Sequence, residues 1–451
     1  MHDYKHSVSL DVKKCKGCTT CLKRCPTEAI RIRDGHAVIN SKRCIDCGEC
    51  IRVCPHKAKR ASHDGLESLA DFKVRVALPA PALYGQFDNM ESIDYIIEGL
   101  YRLGFDYVFE VAAAAEMVSA YTRIFLSDPK VKKPVISSAC PVITRMININ
   151  FPYLSENIIP ILPPIEVAAA VAREKAEKMR PDVSPEDIGI YFISPCTAKV
   201  SYVKNGFAGS RNNVDRVLSM RDVYFRLIDL MRDIDNPEHT AKSGMIGIGW
   251  ASTGGESSAV FNDKYLAADG IENCIKVLEQ IENDDFTDLD FIELDACNGG
   301  CVGGAMTVAN PYIAQARLQT LKRYLPVSPN RPPDTEIPER FFVDGNVTFD
   351  HGMLLSDDRN EAMRMMSEIE SIAHDLPGLD CGSCGAPTCM AFAEDIVKNE
   401  TSADECTVIM REMFHDYLAR HKGTTLADEF REYRSRPAKE KGGSDEPTAS
   451  V

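Results

Sequence analysis

Seventeen cysteines stand in this 451-residue chain, and their grouping says more than their number. Eight fall within residues 15–54 and four within residues 381–406. Four stand singly, Cys140, Cys196, Cys297 and Cys301, and Cys274 is left over. In a reducing compartment structural disulfides are not expected, so thiols in sets of four point to metal. The first run is Cys15-Lys-Gly-Cys18-Thr-Thr-Cys21-Leu-Lys-Arg-Cys25-Pro26, and the second is Cys44-Ile-Asp-Cys47-Gly-Glu-Cys50-Ile-Arg-Val-Cys54-Pro55. Such short spacing wraps three thiolates around one iron–sulfur cube, whereas zinc, the competing metal, favours paired C-x2-C knuckles. Near the C-terminus Cys381-Gly-Ser-Cys384-Gly-Ala-Pro-Thr-Cys389 is followed by Cys406. A Gly/Pro loop, a helical stretch and a fourth cysteine suit one more 4Fe-4S cube, with zinc again the alternative.

The two N-terminal runs resemble the C-x2-C-x2-C-x3-C-P repeats of two-cluster bacterial ferredoxins. That resemblance implies crossed ligation: Cys15, Cys18, Cys21 and Cys54 on one 4Fe-4S cluster, and Cys44, Cys47, Cys50 and Cys25 on the other. Residues 1–60 carry 14 Lys/Arg against 6 Asp/Glu in a chain of net charge −15. Part of this basic excess offsets the charge of anionic clusters. The remainder is either a solvated face or a docking surface for an acidic redox partner.

The elements that position the single cysteines follow from periodicity. Apolar β-branched runs at residues 73–78, 107–111, 134–137, 188–193, 245–250 and 291–294 predict strands. Helical patterns cover residues 90–103, 114–125, 166–178, 223–231 and 302–324. The alternation predicts an α/β fold with mainly parallel sheets. Cys140, Cys196 and Cys297 each follow a predicted strand, and Cys301 comes one turn later. Ligands of open α/β sheets bind beyond the carboxyl ends of strands, so the four could converge on one further cluster. Taken singly, each is also readable as a buried structural cysteine. Cys274, in a helical stretch, reads as packed and remote from every cluster.

The flanking residues carry a resemblance. Ile136-Ser-Ser-Ala-Cys140-Pro141, Ser194-Pro195-Cys196-Thr-Ala-Lys199 and Glu293-Leu-Asp-Ala-Cys297-Asn-Gly-Gly-Cys301-Val-Gly-Gly304 are similar to the three signature segments of iron-iron hydrogenases, and Ala80-Pro81-Ala82 and Thr253-Gly254-Gly255 to lesser motifs. The resemblance covers roughly residues 1–330. It implies a two-lobed hydrogenase domain and an H-cluster, with a 4Fe-4S cube on Cys140, Cys196, Cys297 and Cys301. Cys301 would also bridge to a two-iron unit bearing carbon monoxide, cyanide and azadithiolate. With the ferredoxin and C-terminal sets, this makes three additional 4Fe-4S clusters. The implied chemistry is heterolytic interconversion of H2 with protons and electrons, the azadithiolate amine taking the proton. Lys199 would bond a cyanide, Ala80 and Pro81 would line the distal iron, and the glycines would let backbone approach the cofactor.

Several residues depart from the family pattern. Ala139 stands where catalytic members carry the proton-relay cysteine. Tyr121, Thr122 and Phe125 stand where the relay helix carries acids, Ser194 and Asp295 replace methionines, and Tyr202 replaces a glutamate. Two acids could substitute, Glu256 after the Thr-Gly-Gly loop and Glu293 at the start of the third segment. Each could equally be a capping or salt-bridged glutamate. These departures resemble the sensory branch of the family and imply a slow enzyme that reports hydrogen or redox state. The other reading is a non-catalytic iron–sulfur scaffold, assembly or electron-transfer protein related to hydrogenases.

The expected domains are residues 1–70, a ferredoxin-like α+β domain; 71–330, the hydrogenase domain; 331–372, a Pro-rich linker and connection; 373–420, a small iron–sulfur domain; and 421–451, a polar disordered tail. Acidity argues against nucleic acid as a main partner, and no apolar run reaches the roughly 18 residues of a membrane span. No secretory signal or nucleotide loop is recognised. The expectation is a cytoplasmic protein that exchanges electrons with a soluble redox protein such as ferredoxin and, as a sensor, meets a signalling partner.

Overall fold

The computed structural model describes residues 4–206, 213–333, 335–343 and 354–420. The chain forms two compact units, Met1–Leu354 and Leu355–Val451.

The first unit begins with a small α+β module. β1 (Val8–Leu10) pairs antiparallel with β4 (Lys59–Ala61), and β2 (Ile30–Arg33) forms a hairpin with β3 (His36–Ile39). One-turn helices α1 (Thr20–Lys23) and α2 (Glu49–Arg52) lie inside the two cysteine runs. The strands are too short to bury a self-sufficient core, and the few apolar residues, among them Leu22, Ile30 and Ala37, pack directly against cysteines.

The central region holds two parallel sheets. β5 (Val74–Pro79), β6 (Tyr107–Val108), β8 (Ile188–Ser194) and β9 (Arg216–Ser219) form one, in the order β6-β5-β8-β9. β7 (Val135–Ile136), β10 (Tyr265–Asp269) and β11 (Phe291–Asp295) form the other, in the order β10-β11-β7. Every residue of β8 is buried, which explains its unbroken apolar sequence. The crossovers between strands are helical: α3 (Asp94–Leu103), α4 (Val111–Leu126), α5 (Pro141–Asn150), α6 (Pro164–Met179), α7 (Thr197–Asn205), α8 (Met220–Met231) and later α11 (Ile271–Glu282); α12 (Pro311–Lys322) follows the last strand, β11. Each sheet has its own core. Ile190, Phe192, Leu100 and Leu227 belong to the first; Ile143, Ile147, Leu278 and Ile292 belong to the second. These are the two lobes, and the fold is the α/β class with mainly parallel sheets.

Three assignments change. Residues 245–250, read as a strand, form α9 (Met245–Gly249), followed by α10 (Gly255–Ala259). The apolar run is buried as a strand would be, but Gly247 brings α9 against α4. A β-carbon there would sit 2.0 Å from the Ala112 carbonyl oxygen. The helix read over 302–324 is a 3-10 turn, Cys301–Gly303, and then α12, which starts at Pro311 because proline suits a first helical turn. The stretch read as linker is shared between the units. Phe341 is buried and Phe342 bridges Ile161 in the first, while α13 (Arg359–Asp375) belongs to the second.

The second unit packs α13, α14 (Cys389–Val397) and α15 (Thr407–Arg420) around Ile369, Phe392 and Ala393. The tail read as disordered, 421–451, lies outside the described residues. Among the described residues no helix is long and apolar enough to cross a membrane.

Candidate metal centre

Each ferredoxin-like cavity is lined by three cysteines of one run and the last cysteine of the other. Cys15, Cys18, Cys21 and Cys54 line one; Cys44, Cys47, Cys50 and Cys25 line the second. The Ala29 N–H donates to Cys25 Sγ and the Ala58 N–H to Cys54 Sγ, both at 3.2 Å. At Cys54 the backbone donors, acting against burial, hold the thiol below its ordinary range. The first cavity is outermost, with Cys18 exposed. The second abuts the central region. Arg145 of α5 donates to the Cys44 carbonyl at 2.8 Å, and Thr197 of α7 donates to the Asp46 carbonyl. The buried Asp46 carboxylate accepts from Ser7 N–H (2.8 Å) and Ser201 Oγ (2.7 Å). In the second unit Cys381, Cys384, Cys389 and Cys406 line one cavity.

The four single cysteines stand where the two lobes present their strand ends. Cys140 follows β7 and caps α5; Cys196 follows β8 and caps α7. Both sulfurs therefore sit at helix N-termini, where the dipole favours negative charge. Cys297 follows β11, and Cys301 opens the next turn. The four lie within range of one another's charge: Cys301 meets Cys196 and Cys140, and Cys297 meets Cys196. Burial, then Asp295, pushes the Cys140 thiol up to about 11. Burial also brings Cys297 to about 11, against the pull of Arg52. Buried thiols of this kind bind a cationic centre with loss of their protons, so the donor set fits an iron–sulfur cube.

Arg52 joins this site to the inner ferredoxin cavity. Its Nη2 donates to Cys297 Sγ and to the Gly303 carbonyl, each at 3.0 Å, and its Nη1 donates to the Cys47 carbonyl at 3.2 Å. Sequence reading missed it, although its place two residues after Cys50 was visible.

Three carboxyls, the buried Glu256 and Glu293 and the half-buried Asp295, cluster together, and the charge of Asp295 reaches the cysteines. Glu293 accepts from the Gly254 N–H (2.9 Å) and Ser257 N–H (2.7 Å), one bond to each oxygen. Glu256 accepts from Ser137 Oγ at 2.7 Å on Oε2. Burial, then the charge of Glu293, pushes the Glu256 carboxyl well above its ordinary range. Burial also raises Glu293, but its backbone donors oppose the shift. Of the pair, Glu256 is the one pushed further toward its protonated form. Asp295 is pushed well up by burial and then by Glu293. The Ala139 N–H donates to Ser137 Oγ at 3.1 Å, so a hydroxyl stands between Glu256 and the position of the missing relay cysteine. Ser137 had no signal in the sequence beyond its place at the end of a strand.

Lys199 points inward. Its Nζ donates to the Ala139 carbonyl at 2.6 Å, and its charge reaches Cys196, Cys301 and Glu256. Ser194 Oγ donates to the Cys196 carbonyl at 2.8 Å, closing a turn that fixes Cys196. Ala80 and Pro81 are buried at the end of β5, with the Ala80 N–H donating to the Ile193 carbonyl. On α4, Tyr121 stacks near Phe341 and Thr122 Oγ1 donates to the Val118 carbonyl.

Two expectations are revised. The glycines of the third segment make room for protein backbone: a β-carbon on Gly300, with φ at +87°, would meet Thr253 N at 2.6 Å, and one on Gly304 would meet the Pro195 carbonyl oxygen at 2.2 Å. They bring the Thr253 and Cys196 loops onto the Cys301 turn. Cys274 is packed but not remote. Its Sγ lies 3.3 Å from the Asp295 carbonyl, and it feels the charges of Cys140 and Cys297.

Comparison with known proteins bears on this arrangement. The family model described as iron only hydrogenase large subunit, C-terminal domain, matches residues 73–263 and 232–305. A 4Fe-4S dicluster domain matches residues 7–55, and an iron–sulfur cluster family matches residues 376–408. The periplasmic [Fe] hydrogenase large subunit of Nitratidesulfovibrio vulgaris is 27% identical over 394 residues, spanning 71% of this chain and 91% of its own length. Among solved structures, the FeFe-hydrogenase HydA1 from Chlamydomonas reinhardtii is 18% identical with a TM-score of 0.45, covering 59% of this chain and 91% of its own. A HydA structure concerned with stepwise H-cluster assembly has the same identity, TM-score and coverage.

Proposed function

Because the chain belongs to the iron-only hydrogenase large-subunit family, we propose that it interconverts H2 with protons and electrons, slowly, as a sensor of hydrogen or redox state. The observation that carries this reading is the convergence of four thiols from two lobes with inward-pointing Lys199 and a buried acid pair. Cys140, Cys196, Cys297 and Cys301 would hold the H-cluster, Cys301 bridging to the two-iron unit with its carbon monoxide, cyanide and azadithiolate ligands. When bound, that cofactor supplies the heterolytic chemistry on H2. Lys199, bonded to the Ala139 carbonyl, brings a positive charge within reach of Cys301, where it would orient an anionic ligand.

Proton movement falls to this chain's own side chains. Glu256 holds a proton because burial and Glu293 oppose its charge. Ser137 accepts and passes a proton between Glu256 Oε2 and the space at Ala139, and Glu293, held by two backbone donors, exchanges protons with Glu256. Ala139 itself carries no proton, so the last transfer crosses a gap that a thiol would fill, and turnover is slow. Clusters held in the two ferredoxin cavities would supply the electron path, the inner one joined to the central site through Arg52 and the outer one reaching the surface at exposed Cys18, where a soluble redox protein such as ferredoxin would dock. The C-terminal module offers an output to a signalling partner.

The test is an anaerobic infrared spectrum of protein matured with the two-iron cofactor, before and after H2. Carbonyl and cyanide bands that shift under H2 are expected. Intact iron–sulfur absorbance with no such bands would overturn the reading in favour of a scaffold or electron-transfer protein.

A further inference from the structure

Away from the cysteines, a cavity of about 810 Å³ opens beside α4 and α6. No cysteine lines it, and neither do Lys199, Glu256 or Glu293. Its volume is that of a small-molecule pocket. Lys175, Lys242 and Arg331 line it, and none of the three has a carboxylate partner among the described residues. The Lys175 ammonium lies 4.8 Å from the centre of the Phe109 ring, and burial, then the charge of Lys242, holds it below the ordinary lysine range. Lys175, Lys242 and Arg331 are exposed at the cavity's rim, so together they give its mouth a positive field, in a chain of net charge −15, that favours an anionic ligand.

The nearby acids are engaged elsewhere. Glu110 accepts the backbone N–H groups of Lys242 (2.6 Å) and Ser243 (3.3 Å) on one oxygen and the Tyr84 hydroxyl (3.4 Å) on the other. Glu116 accepts from Gly244 N–H and from Asn330 N–H (2.8 Å). These bonds pin the loops that carry Lys242 and Arg331, so the wall is built rather than draped. Arg340 is paired with Glu174, and His239 with Asp94. Phe109 and Tyr107, both half-buried, supply accessible ring surface, while Tyr121 and Phe341, with ring centres 5.6 Å apart, lie fully buried behind them.

We propose that this cavity is a ligand site for an anionic group carried on a planar ring. Nucleoside phosphates and aromatic carboxylates share that chemistry. Recognition here needs no glycine-rich phosphate loop, because cations and rings do the work. The proposal is independent of the hydrogenase reading, and neither falls with the other.

The experiment is anaerobic calorimetric titration of the iron-loaded full chain with ADP, 1-naphthoate and inorganic phosphate. One ADP or naphthoate per chain is expected, with inorganic phosphate at least about tenfold weaker. Tighter ADP assigns a nucleoside phosphate, and tighter naphthoate assigns an aromatic carboxylate. The double variant Lys175→Gln/Lys242→Gln should weaken binding about tenfold or more, with iron content unchanged. Should that variant lose iron or melt early, Arg331→Gln supplies the same comparison. Saturable binding by neither ring-bearing probe, phosphate binding as tightly as ADP, or charge-neutralised variants that bind like wild type would each overturn the proposal.

Discussion

The ferredoxin cavities and the central site solve the same problem, four thiols on one centre, by opposite routes. In the ferredoxin module every ligand lies within residues 15–54, and one-turn helices and short hairpins suffice to gather them. In the central site the ligands span residues 140 to 301 and come from two sheets, so the whole α/β fold must form first. The surroundings differ as well. In both regions a carboxyl acts on the thiols, Asp46 on Cys44 and Cys50, Asp295 on Cys140, Cys297 and Cys301, but only the central site adds the acids Glu256 and Glu293 around Asp295. The lesson is that a site for moving electrons needs only a loop and its backbone dipoles. On the proposed function the central site must also move protons, and that needs an enclosed polar pocket, which only a large fold can keep dry.

The sharpest way to break this comparison is to remove one ligand from each region. Cys297→Ser should cost about four iron atoms and abolish H2 turnover, leaving the ferredoxin signals in the electron paramagnetic resonance spectrum intact. Cys18→Ser should cost a similar amount of iron but keep the central infrared bands. Loss of the ferredoxin signals in Cys297→Ser would mean that the module depends on the central site, and the contrast would fail.

The next effect concerns protons. Glu256→Gln should lower turnover about a hundredfold at unchanged iron content, and Ala139→Cys should raise it about tenfold by restoring a proton carrier. The pH dependence has a definite sign. Because the folded Glu256 carboxyl lies above its unfolded value of about 4.3, the native state binds that proton more tightly. Its contribution to stability is complete below the unfolded value and is lost as pH rises through the folded one. Thermal inactivation should therefore quicken from pH 5 to pH 8 in wild type, with a flatter dependence in Glu256→Gln. Identical slopes would show that Glu256 is not a protonated buried acid.

Legibility followed the same divide. The ferredoxin sets were legible from the resemblance of their short spacing to two-cluster ferredoxins, because local loops fix their geometry. Cys140, Cys196 and Cys297 were legible as strand-end residues, because β8 and β11 are buried on both faces and read as apolar runs. β10 and β9 escaped notice; β10 is half-exposed, and its Tyr265-Leu-Ala-Ala-Asp has little alternation. Residues 245–250 misled because an apolar run with glycines fits a buried strand as well as a helix pressed on α4 through Gly247. Ser137 and Arg52 were invisible because their roles depend on partners more than a hundred residues away, Glu256 and Cys297. Glu256 and Glu293 were placed near the cofactor by motif, but which one keeps the proton depends on backbone donors no sequence displays.

Arg52 is the joint between the two regions, and its removal tests how separate they are. A guanidinium bonded to Cys297 Sγ stabilises the more negative, reduced state of a centre on that sulfur, so Arg52→Gln should lower the midpoint potential of the central cube by roughly 50 mV. The ferredoxin potentials should hardly move, because Arg52 touches Cys47 only through its carbonyl. An electron paramagnetic resonance redox titration reads both at once.

The smallest effect is expected from the third local set. Cys384→Ser should remove the C-terminal centre, yet H2 oxidation assayed with an artificial dye should stay within about twofold of wild type, because that set completes its own cavity in a separate compact unit. If dye-linked activity instead collapsed while iron at the other sites persisted, the module would be a working part of the catalytic electron path. Its self-contained cysteine spacing would then say where it folds, but not which region it serves.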